Sequence, residues 1–175
     1  MTEFLSEENL ALHREYLRTC SLKYSILEKS IRGISRKQVT EILGMRLPRA
    51  QRNDVLALLP EIELHELYFK SFCDIKNVRS SLVCERFVSE AGFLNYLYRL
   101  GMGLDHGFVT VNVKGDKIEC MATDDYASCY TTGIPVLAID LCEHAYFYDY
   151  GFDKSGYLIN ALPSIDLTRI DEFFV

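Results

Sequence analysis

No tryptophan occurs among the 175 residues of this chain, and its aromatic content is tyrosine and phenylalanine alone. There is no Lys/Arg tract beyond scattered pairs, and the formal net charge is -6. Both facts weigh against a polyanion-binding role, which would call for a basic face. No apolar run approaches the ~20 residues of a membrane span. The stretch from Met1 to Glu8 is acidic and short. It lacks both the basic-then-apolar form of a signal peptide and the Arg-rich form of a transit peptide, so a cytoplasmic address is expected. Cys20, Cys73, Cys84, Cys120, Cys129 and Cys142 contain no C-x-x-C pair, which excludes a zinc ribbon and a thioredoxin-type motif. Reduced thiols, packed as small core residues, are the expectation. Internal repeats and low-complexity segments are also absent. Hydrophobic residues make up 49%, too many for a disordered chain, and the length suits one core or two small cooperating ones.

What is present centres on residues 136–150, VLAIDLCEHAYFYDY. A short apolar run of strand type leads to Asp140, His144 follows four residues later, and tyrosines and phenylalanines come after. A buried ionisable group is costly unless paired or bound to a metal. A carboxylate and an imidazole delivered together from a strand end are therefore expected to share a ligand. Two of the other three histidines lie on helical stripes. Leu10, His13, Leu17, Cys20, Tyr24, Leu27 and Ile31 recur at alternating spacings of three and four, as do Leu58, Ile62, His65, Phe69 and Phe72. Either histidine alone reads better as a core residue satisfied by a hydrogen bond than as a ligand. Taken together with Asp140 and His144, three imidazoles and a carboxylate suit a first-row transition metal such as Fe, Mn or Zn. His106 lies in a glycine-rich stretch and reads as an exposed loop residue.

The segment Asp140-Leu141-Cys142-Glu143-His144-Ala145-Tyr146 closely resembles the D-x-W-E-H-A-Y signature of the iron and manganese superoxide dismutases, with Cys142 in place of the Trp. The resemblance extends over most of the chain. Ser6 to His13 is similar to the helix start that carries the first His ligand, and Leu64-His65-Glu66-Leu67-Tyr68-Phe69 to the segment that carries the second. Asp149-Tyr150 and Tyr157 to Ala161 continue the match. The resemblance implies one Mn or Fe ion per subunit, held by His13, His65, Asp140 and His144, with superoxide as substrate. It also implies a homodimer in which Glu143 reaches the partner's His144.

Around these ligands the chain departs from the family pattern. The gateway Tyr position holds Ser21, and a nearby His position holds Leu17. The iron-type Gln position, one turn before His65, holds Glu61, and Phe108 stands where a Trp would follow. Glu61 reads as a hydrogen-bond partner of metal-bound solvent, as a further ligand, or as an ordinary first-turn acid after Pro60. Tyr126 or Tyr16 is the candidate to replace the missing gateway phenol, and Glu61 and Tyr126 are the expected catalytic residues. Phe147 and Leu17 replace a Tyr and a His that pair across the family's dimer. The two changes leave no buried polar group unpaired. Cys142 reads as a core thiol turned away by strand alternation, or as an extra thiolate ligand.

Helices first, then strands with helices, indicates an α+β arrangement; the resemblance implies a helical hairpin domain, residues 1–76, and an α/β domain, residues 77–175, with a three-stranded antiparallel sheet and the metal lying between the two. A helix capped by Ser6 should run to about Ile31, and a short one from Ser35 to Leu43 should stop at Gly44. Leu47 to Ala50 reads as a connector. The helix bearing His65 should start at or kink by Pro60 and end near Cys73. Residues 77–98 read as two helices broken near Ala91-Gly92, and Gly101, Gly103 and Gly107 as loop. Strands are expected at 108–113, 118–122 and 135–141, followed by helical turns around 157–161 and 167–174. Three function classes are open: a superoxide dismutase with an unusual outer shell; a metal-binding protein of that fold without turnover; and a fold relative in a structural or interaction role. A non-haem iron oxygenase fits less well, because a third histidine fills a position that chemistry needs open.

Overall fold

The computed structural model describes residues 4–74 and 78–174. The chain opens on helix α1, Glu7–Ser30. Ser6 caps it by accepting the Asn9 amide at 3.1 Å, and Glu7 and Glu8 sit where the helix dipole favours negative charge. Two short helices follow, α2 at Val39–Gly44 and α3 at Arg49–Leu56, and then α4 at Leu59–Lys70. Pro60 lies in the first turn of α4, where its missing N–H costs nothing. Two expectations need correction here. Helix α2 begins four residues later than expected, because the backbone turns through a positive φ of 58° at Arg36 and a Gln38–Glu41 capping box then starts the helix. In the stretch read as a connector, Leu47 and Pro48 do connect, but Arg49 and Ala50 already belong to α3, with Pro48 at its N-cap. Ile31, Ile34, Val39, Ile42, Val55 and Leu59 form a second, smaller core shared by α2, α3 and the start of α4.

The second half runs α5 (Ser81–Phe87), α6 (Glu90–Met102), β1 (Phe108–Lys114), β2 (Lys117–Thr123), a 3-10 turn (Tyr126–Tyr130), β3 (Ile134–Asp140), α7 (Glu143–Tyr150), α8 (Lys154–Ala161) and α9 (Thr168–Glu172). The sheet is antiparallel with order β2-β1-β3. The α5–α6 break falls at Val88 (φ 68°), not at Ala91-Gly92, because Ser89 accepts the Gly92 amide and starts α6. Gly101 belongs to α6, not to a loop. A Cβ there would stand 2.9 Å from Leu158 Cδ1, so the bare backbone is what lets α6 and α8 close up.

Two connections place the halves against each other. Helix α1 packs on α7, and α4 packs on β3. Ser71 Oγ, just past α4, donates to Leu67 O at 2.8 Å and accepts the Ala138 amide of β3 at 2.9 Å. The Phe72–Ile165 bridge and the Cys73 amide on Ser164 O at 2.9 Å anchor the exit of α4 to the C-terminal segment. The boundary expected between residues 76 and 77 lies outside the described residues.

Gly107 fixes how β3 leaves the sheet. Its carbonyl accepts the Leu141 amide at 2.8 Å, and its φ is +119°. A Cβ there would stand 2.3 Å from Thr123 O, a backbone atom with little freedom to yield. Gly107→Ala is expected to cost about 2–4 kcal/mol from strain and overlap combined. Urea denaturation of the two proteins measures it, and a shift under half a kcal/mol would show that the turn tolerates a side chain.

Candidate metal centre

Each of the four predicted residues comes from a different element. His13 lies on the face of α1 that also buries Asn9, Leu10 and Cys20. That face is locked to α7, because Asn9 Nδ2 donates to Ala145 O at 2.6 Å. His65 lies on the buried face of α4 between Leu64 and Tyr68. Asp140 is the last residue of β3 and pairs in register with Phe108. His144 does not leave the strand end, as the sequence suggested, but sits in the first turn of α7. The strand stops at Asp140, so alternation says nothing about Cys142, which is instead the N-cap residue of α7.

The imidazole tips converge. Nε2 of His13 lies 3.1 Å, of His65 3.2 Å and of His144 3.1 Å from Asp140 Oδ2. His65 Nε2 and His144 Nε2 are 2.9 Å apart, and the four ligand atoms all lie within 4.8 Å of one another. Two donors bound to one ion at about 2.1 Å stand about 3 Å apart when the angle between them is a right angle. The other carboxylate oxygen, Oδ1, accepts the Cys142 amide at 2.8 Å, and the Tyr157 hydroxyl donates to the Asp140 carbonyl at 3.1 Å. Asp140 is thereby aimed, with one oxygen committed to the backbone and one to the imidazoles.

Hydrogen bonding alone does not satisfy this cluster. His65 Nδ1 donates to Glu61 O at 2.7 Å, which in the neutral ring leaves Nε2 as a lone pair facing a carboxylate oxygen. Two acceptors face to face require positive charge between them. His13 is fully buried, and neither of its ring nitrogens makes a well-directed hydrogen bond. Burial lowers the His13 pKa against the opposing pull of Asp140, which favours the neutral ring. Burial also works against a charged His65, but the bond to Asp140 and its charge outweigh this and raise the pKa. For Asp140 burial favours the neutral acid, yet the three imidazoles hold its carboxyl well below the usual range. A donor set of three imidazoles and one ionised carboxylate suits a first-row transition metal.

The surrounding wall is aromatic. Phe69 and Tyr68 lie 4.8 and 4.9 Å from the His13 ring, and Phe108 meets His65 edge-on at 5.2 Å. Tyr126 packs edge-on against Phe108 at 5.3 Å, and its hydroxyl meets the Cys142 thiol at 3.5 Å. Burial pushes that thiol up to about 12, so it is protonated at neutral pH. Glu61 Oε1 accepts the Tyr16 hydroxyl at 2.6 Å. Ser21 Oγ is spent within α1 on Leu17 O at 2.9 Å, and His106 is exposed in the loop before β1. Sequence reasoning assigned no role to Tyr157 or Asn9. Tyr157 lay in a matching stretch, but nothing local showed that its hydroxyl reaches the Asp140 backbone.

A model of the C-terminal domain of iron/manganese superoxide dismutases matches residues 76–173, a range that includes Asp140 and His144. The "Superoxide dismutase [Fe]" of Cupriavidus metallidurans is 32% identical over 113 residues, which is 61% of this chain and 57% of that protein. The chain thus spans little more than half the length of that relative.

Tyr157 is fully buried and its hydroxyl also lies 3.3 Å from that of Tyr68. Tyr157→Phe leaves the Asp140 carbonyl without this donor and is expected to destabilise the protein by about 1–2 kcal/mol. Thermal denaturation monitored by circular dichroism checks this; an unchanged melting temperature would mean the bond contributes nothing.

Proposed function

Because this chain belongs to the iron/manganese superoxide dismutase family, we propose that it holds one iron or manganese ion through His13, His65, Asp140 and His144 and disproportionates superoxide to dioxygen and hydrogen peroxide. The observation that carries this reading is the convergence of three imidazole Nε2 atoms within 3.2 Å of one buried carboxylate oxygen. The chemistry supplied by such an ion is one-electron exchange, with one superoxide oxidised to dioxygen and a second reduced to hydrogen peroxide as two protons are taken up.

The chain's own residues then have separable tasks. Asp140 contributes the negative charge that the three neutral imidazoles lack. Phe69, Tyr68 and Phe108 keep bulk water from the rings, which strengthens every electrostatic interaction inside. Glu61 and Tyr126 are the proposed catalytic pair beyond the ligands: each carries a hydroxyl or carboxyl oxygen next to the site, and each is held by a neighbour, Tyr16 and Cys142 respectively. The second reading, a metal-binding protein without turnover, is favoured by one feature. Ser21, at the family's gateway position, turns its hydroxyl into its own helix. A superoxide assay on metal-loaded protein separates the two.

A homodimer joined near the metal belongs to the same proposal. Glu143 is exposed on α7, and Phe147 on the following turn is 44% exposed and packs against Phe152, itself 86% exposed. Exposed aromatics beside a carboxylate suit burial against a second copy, where Glu143 would orient the partner's His144. The proposed address is cytoplasmic; among the described residues no helix is long and apolar enough to cross a membrane.

Two outcomes are expected. Purified wild type contains iron or manganese by elemental analysis and is active in a superoxide assay, whereas Asp140→Ala retains almost no metal and melts at a lower temperature. Equal metal in both proteins would remove Asp140 from the site. Glu143→Ala weakens dimerisation in sedimentation velocity and lowers metal retention, because a carboxylate that loses its place at an interface takes its bonds with it. A wild type that is fully metallated yet monomeric at micromolar concentration would end the dimer proposal.

A further inference from the structure

Helix α4 faces two ways. His65 and Tyr68 point to the cluster, while Leu59, Ile62, Glu63, Glu66, Leu67 and Lys70, spaced three and four apart, line a cleft of about 510 Å³. The other walls come from Tyr24 and Glu28 of α1, the turn from Arg36 into α2, Tyr130, the start of β3, and Arg169 of α9. Strand β3 has Ile134 at its first position and Asp140 at its last, about 20 Å apart. The cleft thus lies at the end of β3 remote from Asp140 and from α7. Two of its carboxylates are committed to the fold. Glu28 Oε1 accepts the Arg36 amide at 2.9 Å, and Glu63 accepts the Val39 amide at 2.8 Å and the Tyr130 hydroxyl. Most of its cations are not. Lys37 pairs with Glu41 at 2.8 Å, but the charged groups of Arg36, Lys70 and Arg169 form no ion pair among the described residues. The Tyr24 hydroxyl is buried and has no hydrogen-bond partner, which is costly and uncommon in a folded protein.

We infer that this cleft is a second binding site, for a small organic monoanion with an apolar body, such as an aromatic carboxylate. Its volume falls in the range of small-molecule sites, which combine apolar walls with a few polar groups. The mixture of groups decides the class of ligand. Leu59, Ile62, Leu67, Ile134 and Pro135 offer apolar surface that an inorganic anion would leave in water. Arg36, Lys70 and Arg169 offer charge that a neutral molecule would leave unused, and a carboxylate oxygen gives the Tyr24 hydroxyl its missing acceptor. Glu66, exposed at the edge of the cleft, opposes a second negative charge on the ligand. Glu63 joins the start of α2 to the 3-10 turn, so the wall is formed before a ligand arrives. No residue of the cleft is one of the four clustered ligands, so the inference stands apart from the metal-binding reading.

The test uses the full chain as purified and three probes: naphthoate, its neutral counterpart naphthamide, and inorganic phosphate. Isothermal titration calorimetry is expected to show one naphthoate bound per chain, with naphthamide and phosphate each weaker by about 10-fold or more. Naphthoate should also raise the melting temperature, since it touches both halves of the fold. Arg169→Gln should weaken naphthoate binding by about 10-fold, Tyr24→Phe by about 5-fold and Lys70→Gln by about 3-fold. Lys70 is exposed and in no ion pair, so Lys70→Gln keeps the fold and decides alone if the other two variants do not fold. Absence of naphthoate binding at millimolar concentration would overturn the site. Equal affinity for naphthamide or for phosphate would overturn the class of ligand. Wild-type affinity in every folded variant would place the bound naphthoate elsewhere and overturn the cleft. Metal content, measured separately, is unaffected by each of these outcomes.

Discussion

Asp140 carries a negative charge at a point with no solvent exposure, and much of the fold is arranged around making that tolerable. An isolated buried carboxylate would take up a proton. Here one oxygen is fixed by the Cys142 amide, the carbonyl by Tyr157, and the remaining oxygen faces three imidazoles. Those imidazoles come from α1, α4 and α7, so the charge draws together elements that are far apart in sequence. The bonds that hold these elements serve the same end. Asn9 ties α1 to α7, Ser71 ties α4 to β3, and Gly107 sets the point at which β3 turns toward α7.

The wall around the cluster is built without tryptophan. Phe69, Tyr68 and Phe108 supply apolar edges and faces at about van der Waals contact, while Tyr16 and Tyr126 add hydroxyls whose partners are Glu61 and Cys142. Phenolic side chains combine an apolar body with a polar tip, so they can line a dry pocket and still bond at its rim. At the rim the ring stacked on His144 is Tyr16, from the turn of α1 after the one that carries His13.

Much of the site was legible because its signals are local. His13 and His65 lay on stripes of helical period, Ser6 and Pro60 marked helix starts, and the Asp140-to-His144 segment carried a family signature. Other features were read wrongly for equally local reasons. Arg49 and Ala50 looked like connector because the proline before them stops helices as readily as it starts them. Gly101 looked like loop because nothing nearby in the chain shows that Leu158 will need its space. The break at Val88 was misplaced by the attraction of Gly92, which serves instead as the amide that Ser89 caps.

Which residues could hold a transition metal, the α+β order of helices before strands, and the acidic, tract-free composition could all be read from the chain alone. These follow from residue type and from periods of two and three to four, which need no knowledge of distant contacts. That Asp140 ends a strand while His144 opens a helix emerges from the packing, for a spacing of four is compatible with either. It alone brought Tyr16 over His144 and joined it to Glu61, 45 residues away. Such a bond depends on the angle at which α1 and α4 pack, and that angle is set by the whole core and by no segment of it.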